Sequence, residues 1–316
     1  MSRERRSDGS AGDVDYGAIG GTYSRYRQPD PVIEAQIHRA LGDAKTVLNV
    51  GAGAGSYEPT HCAVTAVEPS ASMRAQRPAH LTRVIDAIAE NLPFEDDSFD
   101  ASMASVTVHQ WSDLEAGIAE MRRVTRGPVV LLVCDPAAMM DYWLADYIPE
   151  VRAVESSRFP SMERIAAAFG GKVEIEPVPV PLDCRDGFNE AYYGRPEAFL
   201  DEKARLACSS WSLVPREAVA RFEAALSADL ESGLWDEKYG HLRRQPFFDG
   251  PLRLVIGKGG GSESPSPLRG RVGVGASARS AEAEHPPPTP PSREGSKRSQ
   301  TSGRKSGTER YRSPVS

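Results

Sequence analysis

Three glycines at alternate positions, Gly51, Gly53 and Gly55, and an acid 17 residues after the first of them, Glu68, are the residues whose types and spacing could do chemistry. Glycine takes positive φ and puts no Cβ between the main chain and a ligand, so a turn through Gly51, Ala52, Gly53 and Gly55 exposes amide N–H groups. A carboxylate can accept from both hydroxyls of a ribose. The turn is spaced G-x-G-x-G, where dinucleotide folds use G-x-G-x-x-G. Only Ser56 to Cys62 remain for a helix before the next apolar run, and Pro59 lies among them. So short and interrupted a helix offers little dipole to a pyrophosphate. An adenosine ligand without phosphates fits better than a nicotinamide dinucleotide.

The elements that must position these groups alternate in type. Thr46 to Val50 reads as a buried strand that breaks into the glycine turn, and Ala63 to Val67 as a second strand closed by Glu68. Both place their functional residues at the carboxyl ends of strands, where open α/β sheets bind ligands. Asp30 or Pro31 starts a helix with Ile33, Ile37 and Leu41 on one face, and Ser70 caps a short helix that Pro78 stops. A third strand is expected over Thr82 to Asp86. The fourth, Asp100 to Val106, is rich in small residues that permit close approach. Ser112 and Glu115 form an S-x-x-E capping box ahead of the stripe Leu114, Ile118, Met121 and Val124. Pro128 to Asp135 is a continuous apolar run, as expected of a strand covered on both faces. A helix over Ser161 to Phe169, a strand over Val173 to Val180, an insertion over Pro181 to Leu213, a long helix over Pro215 to Ser232 and a last strand over Leu252 to Ile256 complete the pattern.

VLNVGAGAG, TAVEPSASM and AENLPFEDDSFD, in this order and at these separations, resemble the class I S-adenosylmethionine-dependent methyltransferases, close to their ubiquinone/menaquinone-type branch. The motifs run from Tyr16 to Asp135, and a looser likeness continues to Ile256. The resemblance implies an α/β fold: a Rossmann-like, seven-stranded, mostly parallel sheet with helices on both faces, an antiparallel last strand and a helical insertion at about 181–213. It also implies S-adenosyl-L-methionine as cofactor and a small-molecule methyl acceptor attacked through oxygen, nitrogen or carbon.

The residue roles that follow come from the resemblance. The segment before the sheet folds over the cofactor, placing Tyr26 and Arg27 near the methionine end, with Arg27 pairing to its carboxylate; alternatively Tyr23 and Tyr26 cover the sheet edge. Many relatives hold the cofactor's ammonium with an acid two residues before the first glycine, and Asn49, a weaker acceptor, stands here. Gly51, Ala52, Gly53 and Gly55 cradle the ligand and Glu68 takes the ribose. Met73 lies against adenine in the family, and on the residues alone reads equally as core. Where relatives place an acid for the adenine amino group this chain has Ile88; Asp86, on the same strand face, is the substitute, and the N–H of Ala89 remains for the ring. Ser105 ends the fourth strand beside the cofactor. His109, level with the sulfonium, is either a general base or a loop histidine bonded to backbone. Tyr192, Tyr193, Arg195 and Trp211 either line a substrate pocket or form the insertion's own core.

Composition bounds the rest. From Gly257 to Ser316 the chain carries 11 basic and 5 acidic residues, net +6, leaving 27 and 39, net −12, for the remainder. The tail has almost no large apolar side chains and is expected to be disordered, as are residues 1–14, which leaves 15–258 as the methyltransferase domain. An acidic domain repels phosphate backbones, so no nucleic-acid partner is expected. Four cysteines without C-x-x-C spacing give no zinc site. No leader or spanning segment is visible, the longest apolar run being Val129 to Cys134, so a cytoplasmic monomer or homodimer is expected. The rival readings are a non-catalytic S-adenosylmethionine-binding regulator, favoured if the insertion fills the acceptor side of the cleft, and a nicotinamide oxidoreductase.

Overall fold

The structure, a computed structural model, describes residues 23–260 except residue 83. The expected disorder of residues 1–14, and of all but the first two residues of the tail at 259–316, falls outside the described residues.

Among the described residues, nine strands form two sheets. The large sheet holds β1 (Thr46–Val50), β2 (Ala63–Val67), β3 (Val84–Ile85), β4 (Ala101–Ser105), β5 (Pro128–Cys134), β6 (Glu174–Pro177) and β9 (Leu252–Lys258), in the order β3-β2-β1-β4-β5-β9-β6. β1 pairs in parallel with β2 and β4, β2 with β3, and β4 with β5; β9 runs antiparallel to both β5 and β6. The order reverses at β1 and β4, so the carboxyl ends of these two strands flank the crevice where ligands of such sheets sit. β7 (Val180–Pro181) and β8 (Phe247–Phe248) form a separate two-stranded sheet. The expected single strand over Val173 to Val180 is therefore two. Pro177 and Pro179 cannot donate to a ladder, and the chain leaves the large sheet between them.

Period-two alternation explains the apolar run of β5. Val130 and Leu132 point to one face, with Met103 and the helix α1 (Pro31–Leu41) through Ile33, Ile37 and Leu41. Val129, Leu131 and Val133 point to the other, with Leu48, Val50 and the helix α3 (Leu114–Arg123) through Ile118 and Met121. Both faces are covered, so no polar position interrupts the strand. Asp30 caps α1, its Oδ1 accepting from the Val32 amide at 2.9 Å, and Pro31 takes the first helical position where no N–H is needed. Ser70 caps the short helix α2 (Ala71–Ala75). The capping box expected at Ser112 is corrected: Asp113 is the cap, its Oδ1 accepting from Ala116 at 2.9 Å, because Ser112 is held by Glu90.

No helix forms between β1 and β2. Gly51, Gly53, Gly55 and Tyr57 all have positive φ, which a right-handed helix forbids, and Pro59 follows. The insertion folds as short helical turns, after the helices α4 (Pro149–Arg158) and α5 (Met162–Ala168) and before the long helix α6 (Arg216–Ser232). Its Tyr193 and Trp211 are buried, Tyr193 stacked 5.1 Å from Phe248 and Trp211 packed 5.0 Å from Phe222 of α6. Of the two readings of these aromatics, the structure has the core. No described helix is long and apolar enough to cross a membrane.

Candidate cofactor site

A cleft of about 980 Å³, counting its open mouth, lies at the carboxyl ends of β1, β2 and β4. Arg27, Asn49, Gly51, Ala52, Gly53, Glu68, Met73, Ala89 and Ser105 all line it, so most of the residues singled out in the sequence meet at one place. The glycine turn is fixed by contact as well as conformation. Gly51 has φ +67°, and a Cβ there would meet the Thr107 side chain at 2.3 Å.

Glu68 is buried, and its two oxygens are oriented by main-chain donors: Gly53 N–H at 2.9 Å to Oε2 and Ser70 N–H at 2.8 Å to Oε1. These two donors hold the carboxylate in place at the tip of β2, on the wall of the cleft.

Asn49 is 1% exposed. Its Nδ2 donates to Glu58 Oε1 at 3.0 Å, and Glu58 Oε2 in turn takes Arg77 Nη2 at 2.9 Å, all three side chains being buried. A carboxylate only accepts, which fixes the amide orientation: Nδ2 faces Glu58 and Oδ1 is the free end. Oδ1 has no hydrogen-bond partner among the described residues. A buried acceptor without a partner is costly, and one on the wall of a cleft is complementary to a ligand donor such as an ammonium.

Opposite the glycine turn the insertion is stitched to the N-terminal segment. The Gly187 amide donates to the Tyr26 carbonyl at 2.8 Å, and the Arg185 amide to Asp30 Oδ2 at 3.2 Å. Asp186 accepts from Arg27 and, at 2.8 Å, from the buried Tyr57 hydroxyl. Burial, followed by the Asp186 charge, pushes the Tyr57 pKa well above its ordinary value, so Tyr57 remains a donor. Trp111 forms another wall, seated on Gly117, where a Cβ would strike its ring at 2.5 Å. Val106, at the tip of β4, has φ +50°, a genuine outlier for a β-branched residue, and such strain concentrates at functional sites.

Four expected site residues are placed elsewhere. Asp86 does not line the cleft; its side chain is 51% exposed and paired with Arg74 at 3.2 Å, because strand three is only two residues long and has ended before it. Tyr26 turns outward and donates to Asp201 at 2.6 Å. Gly55 sits behind the turn, where a Cβ would meet Leu81 and Arg77. His109 lies outside the cleft on a short turn over Val108–Gln110, its ring 4.3 Å from that of Phe159, and lines an adjoining cavity. Tyr57, Glu58, Arg77, Trp111 and Asp186 were not singled out from the sequence. Asp186 is 129 residues from Tyr57, and no spacing announces that contact. Glu58, nine residues after Asn49, was the accessible clue, an acid close to a position that wanted one.

The fold and the site together define a class I, S-adenosylmethionine-binding α/β domain. Comparison with known proteins agrees. Residues 48–133 match the methyltransferase domain family. A solved structure of a candidate methyltransferase from an antibiotic biosynthesis pathway of Anabaena variabilis ATCC 29413 is 31% identical with a TM-score of 0.69, covering 74% of this chain and 100% of that one. The uncharacterized methyltransferase YcgJ of Bacillus subtilis (strain 168) is 29% identical over 113 residues, 32% of this chain and 45% of that relative's length. The chain belongs to the S-adenosylmethionine-dependent methyltransferase family.

Proposed function

We propose that the protein transfers the methyl group of S-adenosyl-L-methionine to a small-molecule acceptor. The observation that carries this reading is the pairing of two oriented acceptors on one cleft: the Glu68 carboxylate at the tip of β2, suited to a ribose diol, and the unpartnered Asn49 Oδ1 at β1, suited to an ammonium. When bound, S-adenosylmethionine supplies an activated methyl on a sulfonium. The protein then has to orient it, exclude water and align an attacking atom. In this reading Arg27, held by Asp186, faces the methionine carboxylate, Met73 and Ala89 the adenine, and Ser105 the centre of the cleft.

Support for a small acceptor comes from the net charge of −12 on residues 1–256 and from the biosynthetic context named for the Anabaena relative. A second cavity adjoins the cofactor cleft, sharing Arg27 and Val106 with it, which favours an enzyme over a regulator whose insertion fills that side. The test is incubation with S-adenosylmethionine and a library of small nucleophiles, followed by quantification of S-adenosylhomocysteine. Acceptor-dependent product is expected; product formed only with nucleic acid or protein substrates would overturn the small-molecule assignment.

A further inference from the structure

The adjoining cavity, about 590 Å³ with its open mouth, is bounded by the tips of β4 and β5, by α4 and by the insertion. Phe159 and Phe188 supply apolar walls, and Glu155 and Glu190 line it with them. One arginine organises both acids. Arg152, fully buried, donates from Nε (2.9 Å) and Nη2 (2.6 Å) to the Met139 carbonyl, from Nη2 to Glu190 Oε1 at 2.6 Å and from Nη1 to Glu155 Oε2 at 2.7 Å. Asn189 Nδ2 adds a bond to Glu155 Oε2 at 2.9 Å, and is itself fixed by Trp211 Nε1 on its Oδ1 at 2.9 Å.

The second oxygens, Glu155 Oε1 and Glu190 Oε2, accept from nothing among the described residues, although Glu190 is only 2% exposed. Both carboxylates are hydrogen-bonded by the one buried cation, Arg152, and the charge of Arg158 also acts on Glu155. Of the other charged groups on the cavity, Arg27 is engaged by Asp186, and Arg158 has one Nη on Ser209 at 2.9 Å and is shared with an outer groove. His109 stands against Phe159. The enclosed wall thus presents the second oxygens of Glu155 and Glu190 beside aromatic rings, with Arg27 turned to Asp186 and Arg158 to Ser209.

We propose that this cavity takes the nitrogen of an amine, held as an ammonium by the free oxygens of Glu155 and Glu190 with its carbon skeleton against Phe159 and Phe188, and that the methyl acceptor is of this class. The assignment rests on the methyl-transfer reading. Attack needs a nitrogen lone pair. An N–H bond of the ammonium breaks, the proton forms an O–H bond on Glu155, and the electron pair stays on nitrogen, so two opposite charges become two neutral groups. Burial raises the Glu155 pKa, which suits that proton transfer.

Calorimetry on the full chain, with and without saturating S-adenosylhomocysteine, tests this with three matched probes: 2-phenylethylamine, 2-phenylethanol and 3-phenylpropionate. The amine is expected to bind about tenfold or more tighter than either partner, as one charge-assisted contact would give. Glu155→Gln and Glu190→Gln should each cut that preference to below about threefold while leaving S-adenosylhomocysteine binding unchanged. Glu155→Gln, at the less buried position, serves if Glu190→Gln fails to fold. Equal or tighter binding of the alcohol or the acid, no amine binding, or a preference surviving in a folded variant would overturn the proposal. Absence of S-adenosylhomocysteine binding in the parent chain would instead overturn the reading beneath it, and the probe preference without that ligand would still be measured.

Discussion

Replacing Glu58 by glutamine should weaken S-adenosylmethionine binding although Glu58 does not line the cleft. In the parent chain Glu58 accepts twice, from Asn49 Nδ2 at 3.0 Å and from Arg77 Nη2 at 2.9 Å, and so holds Asn49 Oδ1 towards the ligand. The amide introduced by Glu58→Gln has a single oxygen. If Arg77 retains it, the new NH2 faces Asn49, whose own amide turns over and presents Nδ2, a donor, to the incoming ammonium. The lost contact is charge-assisted, about 1.5–3 kcal/mol, or roughly 10- to 150-fold in Kd. Weakening the buried ion pair also destabilises the fold, by up to about 3–5 kcal/mol if Arg77 loses its partner altogether. Binding must therefore be measured well below the midpoint of thermal unfolding. Calorimetry with S-adenosylmethionine, S-adenosylhomocysteine and 5′-methylthioadenosine separates the effects. The first two carry the ammonium and should both weaken; methylthioadenosine lacks it and should bind the Glu58→Gln variant and the parent chain alike. Equal losses for all three would mean that the turn is merely loosened, and no loss for any would refute the orientation argument.

Three further outcomes are expected. Glu68→Ala should weaken S-adenosylmethionine and methylthioadenosine together by about 1.5–3 kcal/mol, read by calorimetry, since both carry the ribose. His109→Ala should leave S-adenosylmethionine affinity unchanged, because the ring lines the adjoining cavity and not the cofactor cleft; roughly a tenfold change in Kd would contradict that placement. Acid should modestly destabilise the protein through its depressed carboxylates: hydrogen bonds from Arg164 hold Glu115 down to about 2, and those from Arg123 depress Glu120, although the Arg164–Glu115 pair is half-exposed and screened by solvent. A lowered folded-state pKa gives stability that is complete above the unfolded value near 4.5 and lost as pH falls towards 2. The thermal midpoint should drop over that window, and in Glu115→Gln the drop should be shallower.

The parallel core was legible because its strands are short, apolar and separated by turn chemistry: β2 and the start of β5 lie where their apolar runs placed them. Gly51, Gly53 and Glu68 meet on one cleft for the same local reason, being tied by sequence distance. Asp86 failed because period-two alternation assumes a strand that continues, and β3 stops at Ile85. Tyr26 failed because its partner, Asp201, lies 175 residues away. The acceptor side was opaque in the same way. Glu155, Glu190 and Arg152 come from a helix and an insertion whose meeting depends on packing around Trp143, Tyr193 and Trp211, and no local pattern encodes it.

The central claim is that the crevice at β1 and β2 is built for an adenosyl sulfonium ligand with a free amino-acid end. Titration of the chain with S-adenosylmethionine, S-adenosylhomocysteine and NAD in parallel tests it most directly. Saturable binding of the first two, weakened roughly 10- to 150-fold by Glu68→Ala, and no heat from NAD is the predicted result. Uptake of NAD, or no uptake of either adenosyl ligand at millimolar supply, would contradict it.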